Sequence, residues 1–244
     1  MTDNQRTYES TFAVQQYTAL TELQPPERTI LGMVLPRLTG SRVLDLGVGG
    51  GRTTVEFAQH AASYLGVDYS AGMIEACRAR FADKPWQFQV ADARDLPFDD
   101  ASFDFVLFSY NGIDAVPHED RRRVLGQTYR VLREGGLFAF SSHNLAHAPA
   151  LLSLGPTLHP RAVLRYLWFR RANPPLREIR KRDWVVLRDR GLRGSVESYY
   201  VSRDEQLRQL TAAGFGHVQV FQLDGDVAPL GATDPWLYYL CVRE

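Results

Sequence analysis

The stretch Arg42-Val43-Leu44-Asp45-Leu46-Gly47-Val48-Gly49-Gly50-Gly51-Arg52 gathers residue types that can hold a small ligand. In Asp45-x-Gly47-x-Gly49-x-Gly51 little but backbone follows a short apolar run. Missing Cβ atoms permit positive φ and let a ligand lie against the main chain. A helix opening at Arg52 would add unpaired N–H groups to the same place. The spacing departs from the dinucleotide pattern G-x-G-x-x-G, whose third position falls here on Arg52. What stands out instead is a carboxylate two residues before the first glycine. An anionic pyrophosphate gains nothing from Asp45; a cationic ligand does. Asp68 and Asp92 follow at separations of 23 and 24 residues, each the length of one β-α unit. Asp68 could accept both hydroxyls of a ribose in a charge-assisted contact, and Asp92 could accept from the exocyclic amine of an adenine. Tyr69 and Met73 are placed to pack on ribose and base. Dinucleotide enzymes also carry an acid at the position of Asp68, so these residues alone leave both ligands open.

The elements that must position these side chains alternate strand and helix, which predicts a parallel doubly wound sheet. Pro25-Pro26-Glu27 opens a first helix whose apolar face is Ile30, Leu31, Val34, Leu35 and Leu38. Strands are expected at 43–46, 64–67, 87–90, 103–108 and 137–141, with helices over 52–59, from Ser70 onward and over 118–133. In such sheets ligands bind outside the carboxyl ends of the strands, which is where Asp45, Asp68 and Asp92 fall. The fourth strand ends at Ser109-Tyr110-Asn111 and the fifth at Ser142-His143-Asn144. Periodicity then lapses until 196–201. Ser202-Arg203-Asp204-Glu205 has the form of a capping box. Two further strands, 217–223 and 236–242, are joined by a loop too short for a crossover helix, which predicts an antiparallel pair at the sheet edge.

The glycine turn with its leading Asp45 resembles motif I of the class I S-adenosylmethionine-dependent methyltransferases. Ala91-Asp92-Ala93-Arg94-Asp95-Leu96-Pro97-Phe98 and Phe103-Asp104-Phe105-Val106 look like further motifs of the small-molecule group of that family, and Gly135-Gly136 precedes the fifth strand as it does there. The resemblance covers roughly residues 40–143. It implies an α/β, Rossmann-like, mostly parallel seven-stranded sheet carrying an antiparallel C-terminal edge hairpin and an α-helical insertion. It further implies methyl transfer from S-adenosylmethionine, with S-adenosylhomocysteine as product, to an oxygen or nitrogen of a small-molecule acceptor. Cofactor contacts are then expected from Asp45, Gly47, Gly49, Gly51, Asp68, Tyr69, Met73, Asp92, Ala93 and Ser109. Acceptor contacts are expected from Tyr110, Asn111, His147, Tyr199 and Tyr200. His143 is the candidate base, which favours oxygen slightly. An RNA methyltransferase and an NAD-dependent oxidoreductase are the alternative readings.

Several chemistries are set aside by absence. No Asn/Asp-Pro-Pro-Tyr follows the fourth strand, where adenine amino-methyltransferases carry it; Ser109-Tyr110-Asn111-Gly112 stands there instead. Carbon-5 methylation of pyrimidines needs a cysteine nucleophile, and Cys77 and Cys241 are both expected away from the ligand rim. No His-Glu-x-x-His or Gly-x-Ser-x-Gly occurs, and no metal is expected. Twenty-eight Lys and Arg balance 28 Asp and Glu, so the whole chain has no bias toward nucleic acid or anionic membrane. The polar N-terminus and cysteine usage predict a soluble, cytoplasmic protein; oligomeric state is left open.

Residues 1–40 form an arm and a helix, whose Tyr8, Phe12 and Tyr17 are candidates for a lid over the cofactor. The domain proper is expected over 41–144 and 196–244, interrupted by a helical cap at 145–195. Within the cap, a short helix over 158–171 is expected to turn Val163, Leu164, Leu167 and Trp168 toward the cleft or the sheet rim. Arg161–Arg193 holds eleven Arg or Lys against three Asp or Glu, read as a solvated face over the cap.

Overall fold

The computed structural model describes residues 3–151, 153, 159–188 and 196–244. Nine strands are present among them: β1 Arg42–Leu46, β2 Ser63–Asp68, β3 Gln87–Val90, β4 Phe103–Phe108, β5 Leu132–Asn144, β6 Trp184–Arg188, β7 Glu197–Val201, β8 Phe215–Phe221 and β9 Trp236–Arg243. The helices are α1 Asp3–Tyr8, α2 Thr11–Thr18, α3 Pro25–Leu38, α4 Thr54–Ala58, α5 Ala71–Arg80, α6 His118–Val131, α7 Ala148–Leu151, α8 Pro160–Ala172, α9 Leu176–Ile179 and α10 Arg203–Ala212. The strands join one sheet in the order β3-β2-β1-β4-β5-β7-β6, with β9 paired to both β5 and β8. β1 to β5 are parallel; β9 is antiparallel to β5 and β8. The α/β Rossmann-like expectation holds, including the antiparallel C-terminal pair.

Alternation along the strands explains why both sheet faces carry core. Leu44 and Leu46 of β1 and Val106 and Phe108 of β4 pack on one side with Val124, Leu125 and Phe140. Val43, Phe105 and Leu107 point to the other, against Val34, Phe57 and Ile74. Each such buried side chain contributes about 1.5–3 kcal/mol, and strands buried on both faces read as continuous apolar runs.

β5 is longer than expected. α6 stops at Val131 because Leu132 turns extended, ψ 144°, so Gly135-Gly136 lie within the strand instead of capping the helix. β9 keeps one edge of β5 through His143, while β4 leaves the other edge after Phe140. β7 takes up that vacated edge at His143 and Asn144. The extension brings β7 and β9 to either side of His143.

The described residues of 145–195 are mostly helical, with one strand among them: Trp184–Arg188, antiparallel to β7. Residues 152, 154–158 and 189–195 of this region, Leu158 included, lie outside the described residues. The apolar stripe faces the other way. Leu164, Leu167 and Trp168 are 67%, 56% and 50% exposed, whereas Phe169 is buried at 2% against Ile179, Val185, Leu187 and Tyr200. Phe169 belongs to the face that the strand pair β6–β7 covers, and the sequence pattern of the helix alone does not reveal that cover. No helix among the described residues is long and apolar enough to cross a membrane.

Candidate active site

The glycine turn is held from below. Gly47, Gly49 and Gly51 take φ of 61°, 54° and 78°, values open to glycine at little cost. Asp68, at the end of β2, accepts the Gly49 N–H through Oδ2 at 3.0 Å and the Ser70 N–H through Oδ1 at 2.9 Å. Burial raises its pKa against these bonds, which act to lower it. Asp45 is fully buried beneath the turn, where Oδ2 accepts from Thr53 Oγ1 at 2.6 Å and the Tyr64 hydroxyl at 2.7 Å. Its Oδ1 has no hydrogen-bond partner among the described residues. Burial outweighs those bonds and pushes the carboxyl up to about 6. The helix after the turn starts only at Thr54 and is five residues long, so the turn backbone, more than a helix terminus, presents N–H groups.

A cleft with about 1180 Å³ of empty space, its mouth included, opens above this turn. Of the residues expected at a cofactor, Gly47, Gly49, Asp68, Tyr69, Met73, Asp92, Ala93 and Ser109 line it. Asp45 and Gly51 do not; they shape the turn from beneath, and a Cβ on Gly51 would stand 2.5 Å from Phe81. Cys77 sits closer than expected, its Sγ 3.1 Å from the Gly49 carbonyl. It is buried, with its thiol pushed up to about 12 mainly by burial, and does not line the cleft. Such a thiol is inert as a nucleophile.

Asp92 is already engaged. Arg94 reaches it from Nη2 at 2.6 Å and from its backbone N–H at 2.9 Å, while Arg94 Nη1 holds Asp120 at 2.9 Å. Burial opposes ionisation of Asp92, yet the Arg94 bonds prevail and hold it below the usual carboxylate range. Arg52, the residue that breaks the dinucleotide spacing, also lines the cleft. It pairs with buried Glu27 through both terminal nitrogens, at 2.5 and 2.6 Å, and lies 4.9 Å over the Tyr110 ring.

A second cavity adjoins the cleft, and Tyr8, Tyr17, Leu20, Tyr110 and Ala115 line both. Its further walls include Asn111, Asp114, His143, Val196, Ser198 and Trp236. Tyr110 and Asn111 both have positive φ, 52° and 60°, uncommon for side chains of this kind. Two such residues in succession turn the chain sharply where cleft and annex meet, and the Asn111 N–H is fixed by Ser141 Oγ at 2.7 Å.

At the annex wall His143 and Asp114 form a dyad. Asp114 Oδ2 accepts from His143 Nδ1 at 2.8 Å and from its backbone N–H at 2.6 Å. Oδ1 accepts from Ser142 Oγ at 2.6 Å and from buried Arg121 Nη1 at 2.8 Å. With Nδ1 donating to the carboxylate, the lone pair belongs to Nε2, 3.4 Å from Asn111 Nδ2. Asp114 was not among the expected site residues. It is the one charged residue between Ser109 and Pro117, a signal that could have marked it.

Three expected acceptor contacts lie elsewhere. Tyr199 is buried at 1%, its hydroxyl 2.8 Å from His118 Nδ1 and its ring under Arg121. Strand alternation sends Tyr200 to the opposite face, 4.7 Å from the His143 ring, where it backs that ring without lining the annex. His147 bonds the Thr233 carbonyl at 2.9 Å and lines neither cavity. None of the described residues of 145–188 lines the cleft or the annex.

Residues 43–136 match the family model described as a methyltransferase domain. Over these residues the chain carries a methyltransferase domain similar to those of the class I S-adenosylmethionine-dependent methyltransferases. It is 37% identical over 127 residues to a demethylmenaquinone methyltransferase of Clavibacter sepedonicus, covering 52% of this chain and 50% of the relative. It is 40% identical over 106 residues to a phthiotriol/phenolphthiotriol dimycocerosates methyltransferase of Mycobacterium tuberculosis, covering 43% and 38%. The chain thus spans half or less of the length of these curated relatives. A Burkholderia thailandensis 1,6-didemethyltoxoflavin-N1-methyltransferase shares the fold at a TM-score of 0.62 and 17% identity, covering 98% of this chain and 88% of that one.

The methyltransferase residues suit S-adenosylmethionine. The unpartnered Asp45 Oδ1 is an acceptor for positive charge next to the turn, and the cleft-lining Tyr69 carries a buried hydroxyl likewise without a partner among the described residues. A Cβ on Gly50 would fill the contact with the arm above it, 2.5 Å from Thr18 Cα. Among the described residues no cluster of His, Cys, Asp and Glu could hold a metal ion.

Proposed function

We propose that the protein transfers the methyl group of S-adenosylmethionine to a hydroxyl oxygen of a small, largely apolar acceptor held in the annex. The observation that carries this reading is the Asp114–His143 dyad in the wall of a cavity that shares five lining residues with the cleft above the glycine turn. When bound, the cofactor supplies an electrophilic methyl on a sulfonium centre. The residues of the chain then have three tasks. Asp68, Tyr69 and the glycine turn hold the nucleoside end, and Asp45 supplies negative charge near the turn. Tyr8, Tyr17, Leu20 and Tyr110 wall off both cavities and exclude water, so that acceptor and methyl group meet in a fixed orientation. His143 Nε2 takes the proton of the acceptor hydroxyl, while Asp114 fixes the tautomer and stabilises the imidazolium that results.

The acceptor class follows from the walls. Tyr8, Tyr17, Tyr110, Trp236, Leu20 and Val196 offer aromatic and aliphatic surface, and among the polar groups Gln16, Asn111, Asp114, His143 and Ser198 the side chains of Asn111 and His143 lie beside one another. Such a site fits an apolar body carrying one hydroxyl. The names of the two curated relatives agree with an apolar acceptor class.

The test is single-turnover transfer of labelled methyl to hydroxylated aromatic and lipid-like acceptors. H143Q should lower the transfer rate about 10²–10⁴-fold, the range for a positioned base, with little change in S-adenosylhomocysteine affinity. A folded H143Q protein that transfers methyl at the wild-type rate removes the base assignment.

A further inference from the structure

Helix α8 shows an unusual face to solvent. Leu164, Leu167 and Trp168, spaced i, i+3, i+4, form one apolar stripe at 67%, 56% and 50% exposure. Arg161, Arg170 and Arg171 flank it and are exposed as well. The opposite side is anchored through Phe169, buried among Ile179, Val185 and Leu187, so the stripe is presented on a fixed helix.

Charge is segregated in the same region. Residues 160–188 hold nine Arg or Lys and two Asp or Glu, leaving 19 basic and 26 acidic side chains elsewhere in the chain. The formal neutrality of the whole chain, from which no attraction to anionic membranes is expected, conceals a strongly basic flank.

We propose that α8 seats this chain on an anionic phospholipid surface, with Leu164, Leu167 and Trp168 entering the acyl boundary and the flanking arginines holding lipid phosphates. Leucine and tryptophan on one face with arginines at its margins is the pattern of an interfacial helix, and arginines there lay their stems along the apolar boundary while their heads stay in water. Nucleic acid would use the arginines but gain little from two exposed leucines. Through its inward side α8 is tied to the site: Phe169 and Tyr200 share one apolar cluster, and the Tyr200 ring packs on His143.

Co-sedimentation of the full chain with phosphatidylglycerol/phosphatidylcholine vesicles tests the proposal. Wild-type protein should bind these vesicles, bind phosphatidylcholine alone at least tenfold less, and release as salt rises. The L164S/L167S variant should lose at least tenfold in binding, and R170E/R171E likewise, with S-adenosylhomocysteine affinity and melting temperature unchanged. On wild-type protein, vesicles should shift tryptophan emission to the blue, and W168F should lose that shift. The proposal is overturned if wild-type protein ignores the anionic vesicles, or if L164S/L167S binds them as wild type does. It is equally overturned if single-stranded RNA binds in place of vesicles, or if the apolar stripe proves to be the contact between two copies in solution, shown by a dimer that L164S/L167S converts to monomer.

Discussion

Asp45 stands where a carboxylate is hardest to keep charged, and that makes its role measurable. Its carboxyl is raised from 3.8 to about 6, chiefly by burial. Between these values the folded chain keeps a proton that the unfolded chain has released, so stability falls as pH rises through this window and is level above it. The full cost at neutral pH is about 3 kcal/mol for a rise of this size. Urea unfolding of D45N should therefore show the variant gaining on wild type by up to that amount from about pH 4 to about pH 6, then no further. A pH-independent difference between the two would contradict the assignment. The acids at the ends of β1, β2 and β3 were legible because a β-α repeat sets them in phase. The Asp114–His143 pair was only half legible. Its members are 29 residues apart, and no local period links a turn after β4 to the end of β5. The Glu27–Arg52 pair was hidden for the same reason, although Arg52 was already marked as the residue that breaks the dinucleotide spacing.

Among the elements, the N-terminal arm bears most directly on catalysis. Scattered aromatics suggested a lid, and Tyr8 and Tyr17 do line both cavities. The arm is fastened at both ends of its first two helices. Asn4 of α1 pairs with the Glu197 backbone in both directions, at 2.7 and 3.0 Å, which occupies a strand edge of β7. After α2, Gly50 admits the backbone of Thr18 and Tyr17, so that a Cβ there would approach Thr18 N and Tyr17 O at 2.6 Å. Backbone cannot swing aside as a side chain can. G50A should displace the arm and leave the sheet intact: S-adenosylhomocysteine affinity falls about tenfold, roughly 1.4 kcal/mol, and limited proteolysis within residues 1–20 accelerates. Wild-type affinity together with wild-type proteolysis in G50A would mean that the arm does not depend on this contact. Gly50 escaped the sequence reading because the alternating x positions of the turn drew attention only to Gly47, Gly49 and Gly51. The inward face of α8 escaped it because periodicity identifies an apolar stripe without saying whether a partner covers it.

At the scale of the molecule, the doubly wound sheet gathers the residues expected at the cofactor at the ends of β1, β2 and β4, and the long β5 carries His143 to the annex wall. The doubly wound, mostly parallel sheet, the strand-end acids and the cofactor were all readable in the sequence. The annex was not, because it is assembled from the arm, the β4 turn, the end of β5, β7 and β9, five segments that only the folded chain brings together. The central claim is that the cleft above the glycine turn holds S-adenosylmethionine through Asp68. Calorimetric titration with S-adenosylhomocysteine tests it most directly. Wild-type protein should bind one equivalent, and D68A should bind more weakly by about 1.5–3 kcal/mol, the range for hydrogen bonds to a charged group. A folded wild-type protein that gives no binding heat or displacement signal, or a folded D68A protein of unchanged affinity, would contradict the account.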